Sequence, residues 1–310
     1  MSAPALPTDR RRTMVERLAP LLSRNAACVY RVSDWILLAV MVVYFRHIGL
    51  ATYGFRQQFS VDDINIQHPH AKQQHVTERQ LFIYSCFLPA LCIAALSFLQ
   101  KRPLSQLNVG LLGLFLAVSI TASMSNTIKL WVGRPRPDFL ARCKPHVLKP
   151  PSHGVYHSTL VTDAVCTADI WSHTIVDGFK SFPSGHSSCA FSGLVYLALY
   201  IRCTMQGVMR SIAQAQYNTF ELAAESDTER GSDVAEETNV SGTDSTKPRT
   251  SLICALALPL LPIMAACYIA MSRLMDYKHH PTDVLAGGIL GTVIAVAVFS
   301  VYRPLGVPAS

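Results

Sequence analysis

Charge is what this sequence holds least of. Only 15% of its 310 residues are Asp, Glu, Lys or Arg, against about 25% in an ordinary soluble domain, and the deficit points away from a water-soluble globular protein. Zinc patterns are missing as well. Nine cysteines are present, yet none sits in a CxxC or Cys/His arrangement, so no metal centre is expected. The C-terminal Val307-Pro308-Ala309-Ser310 matches no lipidation or retention motif. No small-residue cleavage site precedes the first apolar stretch, which is therefore expected to remain as a signal anchor.

What fills the gap is hydrophobic. Half of the residues are apolar and the mean hydropathy is +0.27. Crossing a bilayer as a helix takes about 17–25 apolar residues, and stretches of that kind recur near 35–52, 81–99, 107–127, 184–201, 251–270 and 284–302. Such lengths set aside a soluble helical bundle. The prediction is an all-α chain, a bundle of six transmembrane helices. Its formal net charge of +7 suits phosphate or anionic headgroups. Nucleic acid is excluded as a partner, because the basic residues lie between the spans rather than along one soluble face.

The expected organisation is a basic cytoplasmic tail over 1–34, a membrane domain over 35–302 and a short cytoplasmic tail over 303–310. The first tail carries Arg10, Arg11, Arg12, Arg17, Arg24 and Arg31, which the positive-inside rule keeps in the cytoplasm. Threading from there puts 53–80, 128–183 and 271–283 on the outer side. The 128–183 loop runs against the rule, with Lys129, Arg134, Arg136, Arg142, Lys144, Lys149 and Lys180, but long loops obey it weakly. Residues 221–247 are rich in Glu, Asp, Ser and Thr and are expected to be a disordered cytoplasmic linker. Asn239-Val240-Ser241 within it is an N-glycosylation sequon that would carry a glycan only if the topology were inverted. The segment from Asp62 to Pro69 reads as interfacial. Cys143 and Cys166 share one outer loop, where an oxidising compartment favours a structural bridge.

Three polar clusters fall on the outer side. The first is Lys129, six intervening residues, then Arg136-Pro137; the second is Pro183-Ser184-Gly185-His186; the third is Ser272-Arg273, His279 and Asp283. A phosphate ester must be held by cations and amide donors that grip harder as charge builds in the transition state. Arg136 and Arg273 offer planar forks for phosphate oxygens, and Lys129 a point charge. Ser184 and Gly185 open a predicted helix, where free amides and the dipole favour an anion. His279 and Asp283 are four apart, so on a helix they would share a face and hydrogen-bond; Pro281 suits the first helical turn. An imidazole oriented by a carboxylate can attack phosphorus, and His186 can protonate the leaving alcohol. No step calls for a metal or other cofactor.

These clusters resemble the three motifs of the type 2 phosphatidate phosphatase, or lipid phosphate phosphatase, family: K-x6-R-P, P-S-G-H and S-R-x5-H-x3-D. Here they read Lys129-Leu130-Trp131-Val132-Gly133-Arg134-Pro135-Arg136-Pro137, Pro183-Ser184-Gly185-His186, and Ser272-Arg273 followed by His279 and Asp283. The resemblance covers about 35–302. It implies a six-transmembrane bundle of the phosphatidic acid phosphatase/haloperoxidase type, with His279 as nucleophile, Asp283 as its orienter and His186 as acid. Lys129, Arg136, Ser184, Gly185 and Arg273 carry over as phosphate ligands. Asp138-Phe139 and the run Gly178-Phe179-Lys180-Ser181-Phe182 are similar to the subgroup acting on diacylglycerol pyrophosphate and phosphatidate.

The expected activity is therefore metal-independent hydrolysis of phosphatidate, lysophosphatidate or diacylglycerol pyrophosphate, in an endomembrane or the plasma membrane, with the site on the lumenal or extracellular side. Polyprenyl pyrophosphates and sphingoid-base phosphates are the alternative substrates. A vanadate-dependent haloperoxidase is set against by the spans. An anion channel has no use for a His/Asp pair and a second His. Among neighbours of the motifs, Arg134 is expected at headgroups or loop backbone, His280 at the interface, and Asp276 and Lys278 in solvent; Pro135 and Pro137 break the third span.

Overall fold

The computed structural model describes residues 32–48, 54–146, 160–230 and 249–302. Among these residues there is no strand, only isolated bridges pairing Phe59 with Val161 and Pro145 with Cys166. Helix α1 occupies 32–48. Helix α2 runs Glu78–Leu99 and α3 Leu104–Val132. Two short helices follow, α4 at Phe139–Cys143 and α5 at His173–Gly178. Helices α6 (Gly185–Arg230), α7 (Arg249–Met275) and α8 (Pro281–Val301) complete the bundle.

Among the described residues five helices, α2, α3, α6, α7 and α8, are long and apolar enough to cross a membrane, and we read the chain as a multi-pass membrane protein. The expected span at 35–52 corresponds to α1, whose described part is shorter. The expected tails at 1–34 and 303–310 fall almost wholly outside the described residues, as does the sequon at Asn239.

The expected disordered linker over 221–247 needs correction. Helix α6 continues without a break to Arg230. Glu221, Leu222, Ala223, Ala224 and Glu225 are strong helix formers, and a helix already nucleated extends through such residues at little cost. Composition alone overlooked that continuity. The remainder of that linker lies outside the described residues.

Local chemistry sets where helices begin and stop. Thr77 caps α2 through a reciprocal capping box with Gln80. Helix α3 stops at Gly133, whose φ of 59° is left-handed; a side chain there would also run into the Phe55 carbonyl, so glycine is required. Pro281 takes the first position of α8 behind His280 as N-cap, as the sequence predicts.

Helix α6 lies at the centre, packed against α3, α7 and α8. Its inner face joins a core of Ile93, Leu114, Ala117, Tyr196, Tyr200, Ala295 and Phe299. Hydroxyls link the helices within that core: Ser125 with Ser188 at 2.7 Å, Thr121 with Ser192 at 3.0 Å, and Ser97 with Tyr200 at 2.9 Å. Small residues let backbones come close where lipid supplies no hydrophobic drive. At Gly291 a Cβ would stand 2.1 Å from the Ser188 carbonyl oxygen on α6. That approach locks α6 against α8 and so fixes residues 184–188 relative to 279–284.

Gly291→Leu should therefore spread α6 from α8. The expected cost is about 1–3 kcal/mol, read as a lower melting temperature in detergent together with lost activity; an unchanged melting temperature would show that the helices do not rely on this contact.

Candidate active site

All three motif clusters meet at one end of the bundle. Lys129 occupies the last turn of α3. After Gly133 the chain runs on through Arg134 and Arg136, tied to the loop beyond α5 by Arg136 N–H to Gly178 O at 2.8 Å and Ser181 N–H to Arg134 O at 3.1 Å. The N-terminus of α6 meets that of α8 through Ser184 N–H to Asp283 O at 2.9 Å. A disulfide between Cys143 and Cys166 staples the outer loop over a small core of Phe59, Phe139, Ile175 and Phe179.

Lys129, Arg136, Gly185, His186, Arg273 and His279 line a single cavity of about 860 Å³. Ser184 is fully buried at the entry to α6, next to the lining. Gly185 keeps space for Lys129, since a Cβ there would lie 2.9 Å from the lysine Nζ. Away from the polar end the cavity wall turns apolar, with Leu38, Val42 and Phe45 of α1, Phe82 of α2, and Phe115 and Val118 of α3.

Each arginine is held from behind. Arg136 donates through Nε to the Asp177 carbonyl at 2.9 Å and through Nη2 to its carboxylate at 2.7 Å. Arg142 also binds Asp177, at 2.9 Å, and grips both oxygens of Asp138 at 3.0 Å. Burial alone would raise the Asp177 carboxyl, but Arg136 and Arg142 outweigh it and hold the group well below the usual carboxylate range. Arg273 is almost fully buried and donates to Asp276 at 2.7 Å, to Ser272 Oγ at 3.1 Å and to Gln74 Oε1 at 3.1 Å.

His279 sits just before α8, not within it. Its Nδ1 lies 2.6 Å from the Ser181 carbonyl oxygen and 4.0 Å from the nearer Asp283 oxygen. The expected direct hydrogen bond to Asp283 is thus replaced by one to Ser181, because His279 precedes the helix and does not share the face on which Asp283 begins it. A carbonyl can only accept, so Nδ1 carries the proton and Nε2 is left with its lone pair. Asp283 acts one step removed: its carboxylate accepts from Ser181 Oγ at 2.6 Å, His280 N–H at 3.0 Å and Arg134 at 2.7 Å. Burial, reinforced by the charges of Arg136 and Lys129, pushes the His279 imidazole well below its ordinary value. The ring is neutral at pH 7.

His186 faces the same cavity from the first turn of α6. Its ring meets the backbone of Val76, and its Nε2 is buried with no hydrogen-bond partner among the described residues. Such an orphan costs stability unless something binds it.

Four neighbours need correction. Arg134 bridges Asp283 and Thr282 instead of headgroups or loop backbone. His280 is buried as the N-cap of α8. Asp276 and Lys278 are buried rather than solvated: Asp276 anchors Arg273, and Lys278 Nζ lies 3.4 Å from Asp138. The burial of Asp276 and Lys278 follows from charges behind the motifs needing partners where water hardly reaches. Asp177 and Gln74 escaped the sequence reading altogether, and Ser181 entered it only within the run 178–182. Only Ser181 carried a signal, its place in the run before Pro183.

Membrane helices that gather cations, a helix N-terminus and two imidazoles round one cavity make up the machinery of a phosphoryl-transfer enzyme. Residues 110–306 match the model of the PAP2 superfamily, and the chain belongs to that superfamily. It is similar to the probable diacylglycerol pyrophosphate phosphatase 1 of Schizosaccharomyces pombe, 32% identical over 278 residues that cover 89% of this chain and 81% of the relative. It is 31% identical to diacylglycerol pyrophosphate phosphatase 1 of Saccharomyces cerevisiae, covering 87% of this chain and 79% of the relative. Lipid phosphate phosphatase 1 of Arabidopsis thaliana is 27% identical, with 87% and 68% covered. No solved structure matches the chain.

The depressed imidazole gives a pH signature. Diethyl pyrocarbonate attacks only neutral imidazole, so inactivation that inorganic phosphate protects against should stay near its plateau from pH 7.5 to 5.5. A fall of about tenfold over that interval is what an ordinary imidazole would give, and would show that His279 is not depressed.

Proposed function

We propose that this protein hydrolyses lipid phosphate esters, namely phosphatidate, lysophosphatidate or diacylglycerol pyrophosphate, through a phosphohistidine on His279. The observation that carries this is the two-sided cavity: cations and both imidazoles at one end, an apolar wall running along α1, α2 and α3. A lipid phosphate has the same division, so its acyl chains stay among apolar side chains while the headgroup reaches the charge. The names of the fungal and plant relatives agree with this substrate class.

In the reaction, Lys129, Arg136 and Arg273 hold the phosphoryl oxygens, helped by the amides of Ser184 and Gly185 at the start of α6. His279 Nε2 attacks phosphorus. As the P–O bond to the leaving group breaks, a lipid alcohol or, from diacylglycerol pyrophosphate, phosphatidate, protonated His186 gives the leaving oxygen its proton. Water then attacks the phosphohistidine with His186 as base, releasing phosphate and restoring His279. Asp283 serves by fixing Ser181, whose carbonyl sets the His279 tautomer.

The membrane arrangement we infer has six spans, with α1 as the first, the N-terminal tail in the cytoplasm and the site on the lumenal or extracellular side. The Cys143–Cys166 disulfide beside the site suits an oxidising compartment. On this topology Asn239 stays unglycosylated.

The test is phosphate release from phosphatidate and diacylglycerol pyrophosphate in mixed micelles. His279→Ala should abolish turnover and the acid-labile phosphoenzyme trapped by rapid quench. Lys129→Ala and Arg273→Ala should each lose about a hundredfold or more in rate, as with other lost transition-state donors. Full turnover in His279→Ala would overturn the mechanism.

A further inference from the structure

The loop that leads into α2 lies N-terminal to the stretch matching the superfamily, which begins at residue 110, yet it is pressed against all three motif regions. His68 stacks on Tyr277 with ring centroids 4.5 Å apart and planes 7° from parallel. Its N–H donates to Pro137 O at 3.0 Å. His70 Nδ1 lies 2.6 Å from Asp138. Val76 is buried and meets the His186 ring through its backbone.

Two consecutive residues of this loop converge on Arg273. Gln74, which lines the cavity, accepts from Arg273 Nη1 at 3.1 Å. His75 takes hold of Asp276, the carboxylate behind Arg273. Its Nδ1 is 2.5 Å from Oδ1, and its backbone N–H reaches Oδ2 at 3.2 Å. Asp276 in turn accepts from Arg273 Nη2 at 2.7 Å. A guanidinium has five N–H donors in a rigid plane. Ser272, Asp276 and Gln74 engage all three of its nitrogens and take four of those donors, so its plane is fixed and one Nη1 hydrogen is left for a ligand. Neither Gln74 nor His75 belongs to α7, which carries Arg273. Without them the long side chain would regain rotamers that a phosphate must freeze again on binding.

We propose that Gln74 and His75 are positioning residues for Arg273: the loop 68–76 is a strap that holds the guanidinium in its phosphate-binding pose before substrate arrives. This rests on the reading of Arg273 as a phosphate ligand. Asp276 alone leaves the pose underdetermined, since its carboxylate could rotate with the arginine; His75, bonded to it through ring and backbone together, prevents that.

The experiment uses the full chain purified in detergent and compares wild type, Gln74→Ala, His75→Ala, His75→Arg, His68→Ala and Arg273→Ala. It measures kcat and KM for phosphatidate and the inhibition constant of orthovanadate, a phosphoryl transition-state mimic that has no lipid tail. Losing one hydrogen bond to a charged group corresponds to about tenfold. Gln74→Ala and His75→Ala should each raise the vanadate constant by about that factor and raise KM more than they lower kcat. His75→Arg keeps N–H donors for Asp276 and should bring the vanadate constant back to within about threefold of wild type. His68→Ala removes a strap contact that touches neither Arg273 nor Asp276, and should leave the constant unmoved.

Vanadate binding unchanged in both alanine variants overturns the proposal. So does an equal loss in His68→Ala, or a failure of His75→Arg to recover, since either would mean the strap merely supports the fold. If Arg273→Ala itself leaves vanadate binding intact, the phosphate-cradle reading has failed. If Arg273→Ala weakens it and the strap variants do not, only the strap inference is lost.

Discussion

Carboxylates decide where the cations of this site point. Asp177 holds Arg136, Asp276 holds Arg273, Asp138 takes Arg142 and Lys278, and Asp283 takes Arg134. An arginine drawn into a dry helix bundle without such a partner would carry a desolvation penalty of several kcal/mol. With one, its remaining hydrogens are aimed rather than free. The positive potential in the cavity is therefore built in. Preorganisation of this kind is what lets an electrostatic site favour a transition state over a substrate.

The chain's own spacing explains why the pairing works. Arg273 and Asp276 are one helical turn apart at the end of α7, and Asp138 and Arg142 are four apart across α4. Those two pairs are local. Arg136 with Asp177 and Arg134 with Asp283 are not: they bind the loop after α3 to α5 and to α8. Each charge therefore does double duty, preparing the site and closing the outer loops onto the bundle.

Much of this was legible beforehand. The apolar stretches announced α2, α3, α7 and α8 because a membrane span is written in length and composition, which need no tertiary knowledge. The motif residues were legible because phosphate chemistry limits which side chains can serve. Helix α6 past residue 201 was missed because polar helix formers look like linker when read by composition. The direct His279–Asp283 hydrogen bond was expected from i, i+4 spacing, which holds only when both residues lie inside a helix; Pro281 starts the helix between them. Asp177, Gln74 and His75 left no trace, since a carboxylate, an amide and an imidazole in outer loops are ordinary until the fold brings them to an arginine. Arg134, His280, Asp276 and Lys278 looked like surface for the same reason.

One dimension of the bundle has a use beyond packing. Helix α6 begins at the cavity with Gly185 and ends at Arg230, and at 1.5 Å per residue it extends roughly 70 Å, more than twice a hydrocarbon layer of about 30 Å. A single unbroken rod therefore reaches from the cavity to a point farther away than a bilayer is thick. Torque or tension applied to its far end would be delivered, as by a lever, to the turn that carries His186.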